Sequence, residues 1–90
     1  MLYTIYTGIG DTANPADDVQ FLLGHALGLG LPGITVWGGW GAARPAEGLV
    51  EIEPVRVFQI WAPAPAPGLV LLFAREVKRV FHQREVVVVY

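Results

Sequence analysis

The sequence predicts an α+β fold of the split-βαβ, ferredoxin-like kind (βαββαβ), with a four-stranded antiparallel sheet, two helices on one face and a Gly/Trp hairpin arm. Three observations predict it. Segments with β-type composition are interleaved with two segments whose apolar residues recur at helical spacing, in the order β-α-β-(arm)-β-α-β. Residues 2–38 and 55–90 each spell strand, helix, strand. The chain has 90 residues, and a chain of this size buries only about 60–65% of its unfolded surface, enough for one core and one domain, residues 1–90.

Leu2–Thr7 alternates β-branched and aromatic residues and stops at Gly8-Ile9-Gly10-Asp11, as a strand running into a loop does. Asn14, Pro15 and Asp17 then supply an N-cap, a first-turn proline and a carboxylate at the positive helix end. Val19, Leu22, Leu23, Ala26 and Leu27 form one apolar stripe, and Gly28 and Gly30 stop the helix, predicted as Pro15–Leu29. Ile34–Trp37 is a short β-type run. Gly38–Gly48 mixes turn residues, Pro45 among them, with Trp40, and predicts a twisted or bulged hairpin arm. Leu49–Glu53 alternates apolar and acidic residues, as a half-exposed strand does, and Pro54 separates it from the stronger strand Val55–Trp61.

Pro63, Pro65 and Pro67 favour an extended connection with a proline near the start of the second helix, predicted as Pro67–His82. Leu69, Phe73, Val77, Val80 and Phe81 share its apolar face, with Arg75, Lys78 and Arg79 mainly off it. Glu85–Tyr90 closes the chain with Val86, Val87, Val88 and Val89, a run without alternation that reads as a strand covered on both faces. Two helices cover only one face of such a sheet, so either the arm or a second copy must cover the other. The chain is 53% hydrophobic and 16% charged, against about 45–50% and 25% in an average soluble domain. That excess favours self-association, as a homo-oligomer and first of all a dimer.

A formal charge of −2 supplies no field for a phosphate backbone, so no nucleic-acid partner is expected. The longest apolar stretch lies within Ala62–Ala74 and is broken by prolines. It falls short of the ~20 residues a bilayer needs, so no membrane partner is expected. The absence of cysteine removes disulfides and thiolate chemistry and fits a reducing compartment. Met1-Leu2-Tyr3-Thr4 has no basic n-region, and the reading is cytoplasmic.

Four stretches carry a family likeness: Leu2-Tyr3-Thr4-Ile5-Tyr6-Thr7-Gly8, Gly33-Ile34-Thr35-Val36-Trp37-Gly38-Gly39-Trp40-Gly41, Glu53-Pro54-Val55-Arg56-Val57-Phe58-Gln59-Ile60 and Phe81-His82-Gln83-Arg84-Glu85-Val86. With them the chain resembles a family of small phage and bacterial α+β proteins of unassigned function. The likeness spans nearly the whole chain and implies the fold and a phage setting. It departs at the Ala/Pro-rich loop before the second helix and at Gly8–Asn14, which is short on charge.

Gly8-Ile9-Gly10-Asp11 follows a strand and precedes a helix N-terminus, a setting for anion contact by backbone amides or for a plain turn. In Trp37-Gly38-Gly39-Trp40-Gly41 the indoles either present flat faces to a ligand ring, with Arg44 ready for a carboxylate or phosphate, or plug the core and a subunit contact. His82 and Arg84 sit beyond the second helix, where they either complement its dipole or donate to an anion. His25 and His82 are far apart and without a matching carboxylate motif, so no metal and no cofactor is expected. The chain has no serine, and Thr4, Thr7, Thr12 and Thr35 stand in no nucleophile setting.

These residues support a non-catalytic, homo-oligomeric binding module for a small nucleotide-like or anionic metabolite, of the type that sequesters a host signal in a phage setting. The expected ligand-binding residues are Tyr6, Gly8, Gly10, Trp37, Trp40, Arg44, His82 and Arg84. The alternative is a protein-interaction or assembly module using the same surface. A small hydrolase acting on a nucleotide through His82 and acidic residues is a third reading, and nothing in the sequence argues for catalysis over binding.

Overall fold

The computed structural model describes residues 1–44 and 46–90, so the turn expected at Pro45 lies outside the described residues. Among these residues the chain runs β1 (Leu2–Gly8), α1 (Pro15–Gly28), β2 (Ile34–Ala43), β3 (Glu51–Trp61), α2 (Pro67–Val80) and β4 (Val87–Val89). The strands pair antiparallel in the order β2-β3-β1-β4, the ferredoxin-like arrangement.

α1 begins as its residues dictate: Asn14 accepts a hydrogen bond from the Asp17 amide at 3.3 Å, and Pro15 opens the first turn. It ends in a Schellman motif. The Gly30 amide donates to the Leu27 carbonyl and the Leu31 amide to the Ala26 carbonyl, with Gly30 at φ +95°. The reversal buries Leu31 against Ala26, and the helix stops at Gly28, one residue before the predicted end. Leu22 and Ala26 are its buried residues; Leu27, placed on the apolar stripe by spacing, is exposed because the helix turns that edge of the stripe to solvent.

α2 buries Val70, Phe73, Ala74 and Val77, with Leu69 and Val80 half-buried beside them. It ends at Val80 rather than His82, because Phe81 drops into the core and the chain reverses there through a second Schellman motif. Between the helices and the sheet lies one cluster in which Tyr3, Ile5, Phe58 and Ile60 of the sheet meet Leu22, Phe73 and Phe81. Phe58 and Phe73 pack edge to face, with centroids 5.5 Å apart. Buried Tyr3 keeps its hydroxyl satisfied by accepting the Ala66 amide at 2.9 Å, which ties β1 to the start of α2.

The hairpin is longer and more regular than expected. β2 continues past Trp37 to Ala43, and β3 starts at Glu51 and runs through Pro54 without a break. Pro54 is tolerated because β1 ends opposite Val55, so β3 has one unpaired side at that point, where a missing N–H leaves no ladder bond unmade. Beyond Val55 the two strands pair only with each other and form the arm.

The sheet face away from the helices carries a row of paired residues, Val87, Tyr6, Val57 and Trp37, across all four strands. Tyr6, Trp37 and Val87 are each about half exposed, at 47%, 45% and 51%. Only Val57, flanked by Tyr6 and Trp37, is buried. The valine run at the chain end alternates after all: Val86 and Val88 pack toward the core while Val87 and Val89 face the open side. Among the described residues no helix is long and apolar enough to cross a membrane.

Candidate functional site

An open cleft of about 540 Å³ lies at the end of the sheet where β1 finishes. β1 contributes Tyr6, Thr7 and Gly8, and β3 contributes Glu51, Glu53 and Val55. The turn after α2 closes the other side with His82, Gln83, Arg84 and Glu85, and Val87 of β4 completes the wall. The sheet register explains the grouping: Gly8 pairs with Val55 and Tyr6 with Val87, so residues from both chain ends meet on one face.

Gly8 gives the cleft its depth. A Cβ at this position would lie 2.9 Å from Gln83 Oε1 and 3.0 Å from Glu53 Oε1, so any side chain would fill the space between them. Thr7, buried at the floor, donates its hydroxyl to the Gly8 carbonyl at 2.8 Å. Gly10, outside the cleft, sits at φ +58° against the Phe81 carbonyl and Gln83, and holds the β1–α1 loop against the turn that bears His82.

Among the described residues His82 is the non-glycine residue with positive φ, at +53°. It occupies the position in the second Schellman motif that Gly30 fills in the first, its amide donating to the Arg79 carbonyl while the Gln83 amide donates to Lys78. Its exposed imidazole makes no hydrogen bond to a described residue. Among the described residues the ion pair is Arg79 with Glu76 on α2; Glu51, Glu53, Glu85 and Arg84 form none. The Arg79 hydrogen bond, with its charge, holds the Glu76 carboxyl below the usual carboxylate range. Among the described residues no group of three or more His, Asp or Glu side chains is placed to hold a metal ion.

The cleft therefore unites Tyr6, Gly8, His82 and Arg84 of the expected residues and places Gly10 behind its wall. Trp37, Trp40 and Arg44 do not line it. Trp37 and Trp40 are three residues apart in a strand and project to opposite faces, so they make no joint platform. Trp37 stands across Val57 from Tyr6 on the open face, while Trp40, 76% exposed, and exposed Arg44 belong to the arm. The surrounding glycines have a packing reason: a Cβ on Gly38 would meet the Arg56 guanidinium, and one on Gly41 would meet Val55, each at 3.0 Å. Sequence reasoning missed Glu51, Glu53 and Val55, whose signal was the alternation that sets them on one face of β3.

No protein-family model matches the chain, and no curated protein matches it in sequence. Solved structures share its fold. A phage SAM lyase in its apo state superposes with a TM-score of 0.77 at 20% identity, over 97% of this chain and 75% of that one. A phage SAM lyase in complex with S-methyl-5′-thioadenosine gives 0.75 at 19% identity, over 97% and 76%. The periplasmic divalent cation tolerance protein CutA from Archaeoglobus fulgidus gives 0.65 at 13% identity, over 100% and 83%. The GlnK–ATP complex of B. subtilis gives 0.56 at 14% identity, over 98% and 80%. Identities this low show a common fold.

Proposed function

We propose that the chain is a self-associating module that binds a small nucleoside-type ligand in the sheet-end cleft. The observation that carries the reading is the cleft's make-up: a half-exposed Tyr6 ring, the gap left by Gly8, and His82 and Arg84, unpaired among the described residues, around about 540 Å³. A phenol ring and valine walls suit a base or sugar, while Arg84 and His82 supply donors, and Glu51, Glu53 and Glu85 acceptors, for its polar groups. Two proteins of the same fold have adenosine-containing molecules bound, S-methyl-5′-thioadenosine in the phage SAM lyase and ATP in GlnK. The cleft opens on the apolar sheet face, so a second copy covering that face would border the ligand.

A thermal-shift panel of nucleosides and nucleotides tests the reading. A ligand that binds only the folded state, present at 100 times its dissociation constant, adds about 2.7 kcal/mol. The parent should show the shift and Gly8→Ala should lose it, since the added methyl meets flexible side-chain ends and narrows the cleft without touching the core. A parent that no member of the panel stabilises would refute it and leave the assembly-module alternative.

A second reading rests on Glu51 and Glu53, two carboxylates in the cleft with no cationic partner among the described residues. They suit a cationic ligand, and SAM is a sulfonium. Incubation with SAM followed by analysis for S-methyl-5′-thioadenosine separates turnover from plain binding.

A further inference from the structure

A groove of about 610 Å³ runs along the solvent side of α2, lined by Arg75, Lys78, Arg79, His82 and Gln83. Arg75, Lys78 and Arg79 fall at i, i+3 and i+4, which sets them on one face of α2, and His82 of the capping turn continues the lining. Charge is segregated there. Residues 75–84 hold Arg75, Lys78, Arg79 and Arg84 against Glu76, a net +3; the whole chain is −2, so the other residues sum to −5. Glu76 engages Arg79, while Arg75 and Lys78 form no ion pair with a described residue. Glu85 stands on the β4 side of both, lining the neighbouring apolar groove outside ion-pair distance. The helix dipole accounts for Lys78 and Arg79 in the last turn, but its effect fades beyond that turn and does not reach Arg75.

His82 supplies an independent observation. Its backbone is held at φ +53°, in a position where glycine is the unstrained choice, and the imidazole makes no hydrogen bond with a described residue to offset that strain. His82 lines both this groove and the sheet-end cleft.

We propose that this groove is a second ligand site, for a small oxyanion with two or more linked phosphoryl groups, held by Arg75, Lys78 and His82. The cations are spaced by a helical turn, about 5.4 Å. A monovalent anion satisfies one of them, whereas linked phosphoryl groups reach several. A long polyanion is disfavoured, because a strand leaving the groove meets a surface of its own sign. The groove shares only His82 and Gln83 with the sheet-end cleft, and its occupancy does not require a ligand there.

Calorimetric titration of the full chain with inorganic pyrophosphate, and separately with ATP, tests the site. Saturable binding is expected, weakened at least 10-fold by the double change Arg75→Gln and Lys78→Gln and several-fold by His82→Gly. Arg56→Gln, on β3 and lining neither the groove nor the sheet-end cleft, should change it less than 2-fold. Equal affinity for the two probes assigns the site to the phosphoryl chain itself; tighter ATP binding with the same dependence on Arg75 and Lys78 assigns it to a nucleotide. Amide shifts in the parent provide a check that needs no variant, and those of residues 75–83 should move on titration with pyrophosphate while those of Tyr6–Gly8 stay. Absence of saturable heat with pyrophosphate, pyrophosphate shifts centred on Tyr6–Gly8, or an equal loss in Arg56→Gln would overturn the proposal.

Discussion

His82 and Gly30 occupy the same position of the same capping motif at the ends of the two helices, yet only glycine reaches a left-handed backbone without a Cβ penalty. A side chain there costs about 1–2 kcal/mol. Replacing His82 by glycine should therefore raise stability by about 1 kcal/mol, a gain of about 4–8 °C in Tm for a domain of this size, measured by thermal unfolding of the free protein. An unchanged or lower Tm would mean that the imidazole makes a stabilising contact. The sequence placed His82 at the end of α2, since nothing local distinguishes the last helical residue from a capping one. That distinction was made by Phe81, which leaves the helix to fill the core.

At the scale of elements, both helices were legible because capping residues and apolar spacing act within a few residues of one another. α2 is the element on which the core depends most. Phe73 is fully buried between Val70, Val77 and the ring of Phe58, so Phe73→Ala should cost about 3–5 kcal/mol, read from denaturant unfolding. A loss below about 1 kcal/mol would show that the cluster refills the space. The strands were read less well. β2 was cut short at Trp37 because its glycines look like a turn, whereas they leave room for Arg56 and Val55 across the ladder. Those contacts, Gly38 with Arg56 and Gly41 with Val55, depend on the register of a different strand, and no local pattern encodes it.

At the scale of the whole molecule, the dominant feature is apolar surface that the chain does not cover by itself. The molecule measures 43 × 27 × 19 Å, drawn out by a two-stranded arm whose Trp40 and Ile52 are 76% and 69% exposed. An isolated hairpin of this kind is marginal in water, and the row from Val87 to Trp37 leaves a second patch open. Light scattering at micromolar concentration should give a mass well above 9.8 kDa. Assembly should also shield Trp37 from an added quencher, and Trp37→Glu should lower the mass toward that of the protomer. A clean 9.8 kDa species from the parent would remove self-association from the reading.

The sequence by itself determined the element order, the fold class and the residues with chemistry to offer, because period, turn residues and caps are local properties of the chain. It listed Tyr6, Gly8, His82 and Arg84 beside Trp37, Trp40 and Arg44 with no means of sorting them. Only the tertiary structure did so. Pairing of β4 with β1 brings Tyr6 to Val87 and thereby sets the turn of His82 and Arg84 beside Gly8. Strand alternation sends Trp37 and Trp40 to opposite faces, and the pairing of β2 with β3 carries Arg44 out along the arm. Each outcome follows from hydrogen-bond registers between segments distant in sequence, and a register becomes definite only when the whole sheet forms around a common core.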